Sequence, residues 1–287
     1  MRLIEHESVD SFLASAEGRL MADEERNSLI LSIAGRLKVG GSYGERSPLF
    51  FTVEEGGVLI AAALCTPPYN LVIHCEEDRP DALEQIAERV HKLDPDLPGV
   101  IGVAGAADRF SRLFSDRTGC DAIRTMHQRL YSLHEVIPPV GVPGRIREAE
   151  EGDFDLLVEW IGAFHEEAIP ADRNVDPRRI VERFMSSGRI VLWDDSGPVS
   201  MAGSSRSTPN GAMVSAVYTP PENRGNGYAS ACVAGLSREL LEEGKSFCAL
   251  FTDLSNSTSN KIYQNIGYRP VVDYAVYSFA SAGGEDQ

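Results

Sequence analysis

The sequence lacks long apolar segments and has few lysines. None of its hydrophobic runs approaches the roughly 20 residues that a membrane-spanning helix needs. Its first ten residues, MRLIEHESVD, lack the basic flank and apolar stretch of a secretion signal. Only four lysines are present, and 43 acidic residues bring the formal net charge to −16. This charge disfavours binding to nucleic-acid phosphates and anionic lipids, so we expect no nucleic-acid or membrane partner. From the lack of an apolar run and of a signal-like start we expect a cytoplasmic protein.

The usual signatures of metal, redox and nucleotide sites are also missing. The six histidines show no H-x-x-x-H spacing or Cys/His cluster, and the five cysteines show no C-x-x-C spacing. We therefore expect no metal site, and free thiols in a reducing compartment. The absence of a G-x-S-x-G elbow, of G-K-[ST] and of a G-x-G-x-x-G opening a βαβ unit disfavours serine hydrolases, P-loop enzymes and dinucleotide sites.

The length of 287 residues is typical of two domains. The clearest boundary is the segment VIPPVGVPG, residues 136–144, which contains three prolines and two glycines. We predict domains over residues 1–135 and 145–280, a linker over 136–144 and a disordered tail over 281–287.

Two stretches of the first half align with two stretches of the second. Thr208-Pro209 lies 142 residues after Thr66-Pro67, and Gly267 lies 148 residues after Gly119. The first pair lies within VLIAAALCTPPYNLVIHC and VSMAGSSRSTPNGAMVSAVY. Because the matched elements keep the same order, we interpret the chain as a tandem duplication of one α/β domain.

The hydrophobic pattern of the second half predicts its elements. Apolar residues at helical spacing indicate a helix over 153–168, with Asp153 as its possible cap. A second helix begins near Pro177 and ends at residue 187, with Gly188 just past its end. Three strands over 189–195, 199–207 and 212–219 form an antiparallel meander. A helix over 228–243 follows a glycine-rich turn, and its buried stripe is Val233, Leu236 and Leu240. A strand, a helix near residues 258–267 and a last strand over 269–279 complete the half.

The glycine-rich turn carries the sharpest chemical signal. In AVYTPPENRGNGYASACVAG a strand ends at a Pro-Pro turn and a loop leads directly into a helix. The first N–H groups of a helix have no partner within it and lie at the positive end of its dipole, where an anion binds. Gly225 and Gly227 permit positive φ and close approach, and the Arg224 guanidinium matches a phosphate. The loop therefore predicts a diphosphate site.

Two motifs resemble the GNAT family of N-acetyltransferases. Arg224-x-x-Gly227-x-Ala229 is similar to the R/Q-x-x-G-x-G/A motif with which that family binds acyl-CoA. Asn260-x-x-Tyr263-x-x-x-Gly267-Tyr268 looks like its late helix with the usual G-F/Y ending. The resemblance covers roughly residues 144–279. It implies two tandem GNAT-like α/β domains, each with a mixed, mostly antiparallel central sheet flanked by helices, and acetyl-CoA as cosubstrate.

The resemblance also implies roles for single residues. Tyr263 would protonate the departing thiolate, which a phenol can do near neutral pH. Asn260 would lie near the thioester, on the same side of the helix as Tyr263. Backbone groups at the strand end would bind the pantetheine arm, and one N–H would polarise the acetyl carbonyl. The implied cofactor-binding residues are Val217, Tyr218, Thr219, Arg224, Gly225, Asn226, Gly227, Tyr228, Ala229 and Asn260.

The general base stays open. The candidates are His165, Glu166 and Glu167 at the end of the first helix of the second half, followed by Asp172. An acidic helix end is also common on solvated surfaces, so no residue is assigned.

The first half differs from the second at the positions equivalent to the diphosphate loop and to Tyr263. Glu76, Glu77 and Asp78 stand where the phosphates would bind, and like charges repel at close range. Ser115 occupies the position equivalent to Tyr263. We predict that residues 1–135 form a degenerate copy that does not bind acyl-CoA and that buttresses the other copy or shapes its acceptor cleft. Binding of another ligand stays open.

The motifs together predict an N-acetyltransferase. The acetyl group would pass from acetyl-CoA directly to a primary amine of a small acceptor, in a ternary complex without an acyl-enzyme. The alternative is a non-catalytic module that binds or senses acyl-CoA. The presence of both Asn260 and Tyr263 favours the enzyme. The acceptor's identity and the oligomeric state stay open.

Overall fold

The computed structural model describes residues 1–76, 79–168, 176–187 and 189–280. The chain divides into two compact units. Unit 1 contains Met1–Leu130, Asp253–Ser255 and the C-terminal residues from Val271, and unit 2 contains Tyr131–Thr252 and Asn256–Pro270. The predictions for Glu77, Asp78, Asp172, Gly188 and the tail 281–287 lie outside the described residues.

The first ten elements follow the chain from residue 2 to residue 133. They are β1 (Arg2–His6), α1 (Val9–Leu20), α2 (Ser28–Lys38), β2 (Leu49–Glu55), β3 (Val58–Cys65), β4 (Leu71–Cys75), α3 (Pro80–Leu93), β5 (Gly99–Val103), α4 (Ala104–Thr118) and β6 (Asp121–Leu133). In unit 1, β1 to β4 pair antiparallel in chain order, β5 pairs parallel to β4, and β12, described below, pairs antiparallel to β5.

The next ten elements repeat this order of strands and helices. They are β7 (Arg145–Glu148), α5 (Phe154–Ala168), α6 (Pro177–Ser187), β8 (Arg189–Asp194), β9 (Pro198–Ser207), β10 (Gly211–Tyr218), α7 (Tyr228–Glu242), β11 (Phe247–Asp253), α8 (Ser257–Asn265) and β12 (Arg269–Ala280). In unit 2, β7 to β10 pair antiparallel and β11 pairs parallel to β10. The predicted fold, a tandem α/β repeat with mixed, mostly antiparallel sheets, is confirmed.

Alternate residues of the unit 2 strands pack on opposite faces, as the period of two requires. Val191 lies in one core cluster with residues of α7 and α8, including the predicted stripe Val233, Leu236 and Leu240. Ile190 and Leu192 lie in another cluster with residues of α5 and α6, including Trp160. The sheet of unit 2 is therefore covered on both faces.

The last strands of the two repeats are divided between the units. Tyr131 and Leu133, at the end of β6, are fully buried in the core of unit 2. Most of β12 belongs to unit 1, where Tyr277 and Phe279 pack against the core. The boundaries 1–135 and 145–280 do not anticipate this division in space, and as domain boundaries along the chain they stay predictions. Residues 136–144, the predicted linker, contain neither helix nor strand.

Two smaller expectations concern Asp153 and the cysteines. Asp153 does not cap α5, because it ends a 3-10 turn over Glu151–Asp153 and its carboxylate binds the Glu150 N–H and Arg147. All five cysteines are free; four are buried and Cys120 is half-buried. Burial raises the pKa of the Cys65, Cys75 and Cys248 thiols to about 12. Among the described residues, no helix combines the length and the apolar character that crossing a bilayer requires.

Candidate acyl-CoA site

The site begins at a bulge near the end of β10. Ser215 pairs with Gly203 of β9, and the next pair is Tyr218 with Met201, so the two residues between them are bulged. Ala216, the first of these, has φ of 52°. A positive φ is uncommon for a residue with a Cβ, and such strain occurs at functional sites. The bulge changes the course of the strand directly before the glycine-rich loop.

β10 and β11 pair over only part of their length. Their parallel register covers Gly211–Met213 and Phe247–Ala249, although β10 continues to Tyr218 and β11 to Asp253. Within residues 189–280, which are all described, the remaining edge of β10 therefore has no ladder partner on β11. A free strand edge can bind an extended ligand through its backbone groups.

Two carbonyl groups at the strand end are already hydrogen-bonded. The fully buried Ser200 donates its Oγ proton to the Tyr218 carbonyl oxygen at 3.0 Å, and its Oγ lies 2.8 Å from Thr219 Oγ1. The Thr219 carbonyl oxygen accepts a bond of 2.8 Å from Arg224 Nε. Of the backbone groups that the resemblance assigns to the pantetheine arm, these two carbonyls therefore already accept a hydrogen bond within the protein. Val217, in the bulge, has no partner residue on β9 or β11 in the described part of the chain.

The loop before α7 has the predicted backbone. Gly225 and Gly227 have φ of 81° and 83°, and Gly227 is the N-cap of α7. The first hydrogen bond of the helix runs from the Ala231 N–H to the Gly227 carbonyl. Among the described residues, no acceptor binds the N–H groups of residues 225–230. These donors are free for an anion, as the sequence predicts.

Side chains around the loop determine its shape. The Asn226 amide donates to the Asn223 and Arg224 carbonyl oxygens, which closes the loop on itself. The Tyr228 hydroxyl donates to Asp195 Oδ2 at 2.6 Å, which ties the first turn of α7 to the turn after β8. Both residues support the loop through these bonds. Their contact with a cofactor stays a prediction.

Arg224 lies between the loop and α5. Its Nη2 donates to both carboxylate oxygens of Glu167, each at 2.9 Å, and its guanidinium carbon lies 5.8 Å from the centre of the Tyr218 ring. The Arg224 and Glu167 side chains are about half exposed, at 47% and 50%. The guanidinium that the sequence assigns to a phosphate thus already binds a carboxylate in this structure.

Tyr263 lies inside the core of unit 2. It shares a cluster with residues of α7 and β10, and Val217 packs against that cluster. Burial raises the pKa of the Tyr263 phenol to about 12. Its hydroxyl has no hydrogen-bond partner among the described residues, whereas the neighbouring Tyr268 hydroxyl binds Ser237 at 2.9 Å. Tyr263 therefore lies in the same core cluster as residues of β10. Its hydroxyl proton forms no hydrogen bond to the described residues.

Asn260 is bonded on both sides of its amide. Its Oδ1 accepts from the Tyr131 hydroxyl at 2.9 Å, and its Nδ2 donates to the Asn256 carbonyl. Gln264 also donates to the Tyr131 hydroxyl, so Tyr131 attaches α8 to the end of β6. The sequence gives no signal for Tyr131, because it precedes the predicted linker. The proximity of Asn260 to a thioester stays a prediction.

The base candidates remain unassigned. Glu167 binds Arg224, and Glu166 is exposed. His165 lies edge-on to Phe164, with ring centroids 5.5 Å apart. Asp172 lies outside the described residues.

The equivalent end of β4 in unit 1 looks different. Glu76, directly after β4, accepts a hydrogen bond of 2.7 Å from Arg19. Pro80 is the first residue of α3 and supplies no N–H at its start. Ser115 donates its hydroxyl to the Cys120 carbonyl. These features support the prediction of a copy that does not bind acyl-CoA, which itself stays a prediction.

Comparison with known proteins agrees with this geometry. Residues 195–276 match the family model described as FR47-like protein. A Drosophila protein of known structure is 12% identical, with a TM-score of 0.67, covering 97% of this chain and 98% of its own. A tandem GNAT protein from the clavulanic acid biosynthesis pathway is 13% identical, with a TM-score of 0.55, covering 99% of this chain and 100% of its own.

One further neighbour has a family name and a stated source. A GCN5-related N-acetyltransferase from Sphaerobacter thermophilus is 16% identical, with a TM-score of 0.56, covering 96% of this chain and 95% of its own. No curated protein sequence matches the chain. At these identities the likeness shows the fold, so the GNAT fold in tandem, predicted from the two motifs, is confirmed.

Proposed function

We propose, from the tandem GNAT fold of this chain and its FR47-like domain, that it is an acetyl-CoA-dependent N-acetyltransferase. Acetyl would pass directly to a primary amine of a small acceptor, with both substrates bound together. The observation that carries the proposal is the set of unpaired N–H groups at residues 225–230, next to the free edge of β10. The two features supply, side by side, an anion site and an edge for an extended amide-containing chain.

The residues present fit acetyl-CoA. A diphosphate needs several converging donors and a backbone without side chains in the way. A Cβ placed on Gly225 meets no atom within 4 Å, so the space outside this residue is open. Beyond Met213, the edge of β10 offers backbone groups to the amides of a pantetheine arm. Acetyl-CoA supplies an activated acyl group. After the transfer, the CoA thiolate needs one proton to leave as the free thiol.

Tyr263 is the proposed donor of that proton. Because burial raises the pKa of its phenol to about 12, the group is fully protonated at neutral pH. The hydroxyl proton is not used in any bond to the described residues, so it is free for a leaving group. A backbone N–H at the bulge would polarise the acetyl carbonyl.

The acceptor is proposed to be a cationic small molecule. The chain has a net charge of −16, and Glu166 and Glu167 are exposed at the end of α5. A negative surface attracts ammonium groups and repels nucleic acid and anionic membranes. A cytoplasmic location stays a prediction, which rests on the free cysteines.

The test measures binding and turnover separately. Isothermal titration of the full chain with CoA should show one site, and free thiol should appear from acetyl-CoA when tyramine, glucosamine or lysine is added. Absence of CoA binding would contradict the proposal entirely. Binding without turnover on amines of these three classes would instead support a non-catalytic module that senses acyl-CoA.

A further inference from the structure

Arg224, the residue expected to bind the diphosphate, forms an ion pair with Glu167. The Glu167 carboxylate therefore competes with a diphosphate for the same guanidinium. Nη2 of Arg224 contacts both oxygens of the Glu167 carboxylate, and Nε of the same guanidinium binds the Thr219 carbonyl. A carboxylate and a phosphate present similar oxygen pairs to a guanidinium, and one guanidinium edge cannot hold both. Any diphosphate that uses this edge must displace Glu167.

We propose that Glu167 occupies the diphosphate position on Arg224 when CoA is not bound. When CoA binds, its diphosphate displaces the Glu167 carboxylate from Arg224. The inference rests on the proposed function. The exchange frees a carboxylate on the last turn of α5, beside the end of β10. That carboxylate then attracts the ammonium group of the acceptor. Glu167 is thus a positioning and specificity residue that couples acceptor binding to cofactor binding.

The surroundings of the pair support the second step. Trp160 of α5 and Tyr218 of β10 lie in one core cluster, with ring centroids 6.2 Å apart, so α5 packs against the strand end. The Arg224 guanidinium also lies over the Tyr218 ring. The charge of Glu167 also helps to raise the pKa of the Tyr218 phenol, after burial. Glu167 therefore places its charge beside the Tyr218 ring, at the end of β10.

Both partners are about half exposed, which allows the exchange. Exposed ion pairs are worth little because water and salt screen them, and breaking one changes a binding constant by about two- to fivefold. The pair is thus weak enough to be displaced by a diphosphate that also receives several backbone donors. A buried pair would not be exchanged so readily.

The experiment compares Glu167→Gln with wild type and with Glu159→Gln by calorimetric titration of the full chain. Glu159 lies on the same helix, is exposed, and makes no hydrogen bond or ion pair to the described residues. It controls for the loss of one negative charge. We expect E167Q to bind CoA and inorganic pyrophosphate about two- to fivefold more tightly. Pantetheine, which has no diphosphate, should bind unchanged, and E159Q should behave as wild type.

A double-mutant cycle shows whether the effect acts through the pair. In an Arg224→Gln background, E167Q should no longer change the Kd of CoA. Equal tightening in E167Q and E159Q, or a gain that persists in the R224Q background, would overturn the exchange.

The acceptor step has its own measurement. At saturating acetyl-CoA, E167Q should raise the KM of the amine used while the Kd of CoA falls. If Glu167 had a merely structural role, E167Q would raise both the KM of the amine and the Kd of CoA. An unchanged KM would overturn the acceptor part. If wild type binds CoA but acetylates no amine, the proposed catalysis fails and the CoA titrations still test the exchange. If wild type binds neither CoA nor pyrophosphate, both the proposed function and the exchange fail.

Discussion

Tyr263 and Tyr268 are neighbouring buried tyrosines that differ in one hydrogen bond. Their rings meet edge-on, with centroids 5.9 Å apart. Among the described residues, the Tyr268 hydroxyl bonds Ser237 and the Tyr263 hydroxyl bonds none. Tyr263→Phe removes a hydroxyl that stabilises nothing in the described structure. We expect its kcat for thiol release to fall by about a hundredfold or more, the usual effect of losing a general acid. The Kd of CoA and the melting temperature should stay close to those of wild type.

Tyr268→Phe is the matched control. The substitution takes the Tyr268 hydroxyl away from the fully buried Ser237 hydroxyl, and loss of a buried hydrogen-bond partner costs about 1–3 kcal/mol of folding free energy. Chemical denaturation should therefore show a less stable protein whose kcat is nearly unchanged. If the two variants lose activity to the same extent, Tyr263 is a packing residue and not the acid.

His74 provides a pH-dependent effect in unit 1. Its side chain is about nine-tenths buried and its Nδ1 lies 2.8 Å from Asn27 Oδ1. Burial lowers its pKa below the ordinary 6.5, in spite of the opposing effect of Glu76. The unfolded chain therefore takes up a proton first as the pH falls, and folding stability decreases below pH 6.5. Each pH unit costs up to ~1.4 kcal/mol until the folded-state pKa is reached.

Urea denaturation at several pH values between 7 and 5 measures this effect. His74→Gln should reduce the fall in unfolding free energy, because this variant lacks the buried imidazole. The remaining fall in the His74 variant reports other groups, such as His6, whose pKa burial also lowers. Identical profiles for wild type and the His74 variant would show that the His74 pKa is not shifted by folding.

At the scale of residues, motifs predict which groups are present but not what they contact. The pairing of Arg224 with Glu167 joins residues 57 positions apart, and Ser200 reaches Tyr218 from a neighbouring strand. Such contacts depend on tertiary packing, for which a single sequence has no local signal. The sequence therefore predicts the loop donors and leaves the two bonded carbonyls unrecognised.

The start of α7 depends on backbone conformation, which makes Gly225 a direct test at the scale of an element. A Cβ there meets no neighbour, but the residue has φ of 81°, which costs roughly 1–2 kcal/mol for an L-residue. Gly225→Ala should therefore shift the loop out of the conformation that presents its N–H groups. We expect the affinity for CoA to fall about tenfold, or ~1.4 kcal/mol, by calorimetry. Pantetheine should bind as it does to wild type.

Gly244, just beyond the other end of α7, offers an equivalent change away from the site. It has φ of 102° and also has open space at its Cβ position. Gly244→Ala should lower the melting temperature to a similar extent and leave the Kd of CoA unchanged. A comparable loss of CoA affinity in both variants would mean that general destabilisation, and not the diphosphate loop, explains the result.

Elements with strong patterns are predicted within one or two residues. α7 begins at the predicted residue because Gly227 precedes it, and the three strands of the meander end at recognisable turns. The bulge at Ala216 escapes prediction because alanine gives no sign of a positive φ. The extra residue is imposed by the pairing of β10 with β9, which sequence patterning does not reveal.

At the scale of the whole molecule, the repeat can be recognised in the sequence, and the division of its last strands between the two units cannot. Both repeats end in a long strand, of 13 residues in β6 and 12 in β12, and the sequence of neither strand indicates which unit it joins. The specific contacts decide: Tyr131 binds α8 in unit 2, and Arg129 forms two hydrogen bonds to Asp273 of β12 in unit 1. Tyr274 donates its hydroxyl to the Arg26 carbonyl in the same unit.

The division of the last strands between the units predicts how fragments of the chain behave. Residues 145–280 lack Tyr131 and Leu133, whose side chains are fully buried in unit 2, and loss of one large core side chain alone costs about 2–5 kcal/mol. The same fragment leaves the β12 residues Tyr274 and Ala275, which are buried within unit 1, without their partners. We expect this fragment to show no cooperative thermal transition by circular dichroism and no CoA binding.

Residues 131–270 form the matched fragment, because they keep the end of β6 and omit the part of β12 that belongs to unit 1. We expect this fragment to unfold cooperatively and to bind CoA, since the loop, the bulge and Tyr263 all lie within unit 2. The comparison separates two descriptions of the chain. A stable, CoA-binding fragment over 145–280 would mean that each repeat is self-sufficient along the sequence, and that the divided strands are dispensable to the core.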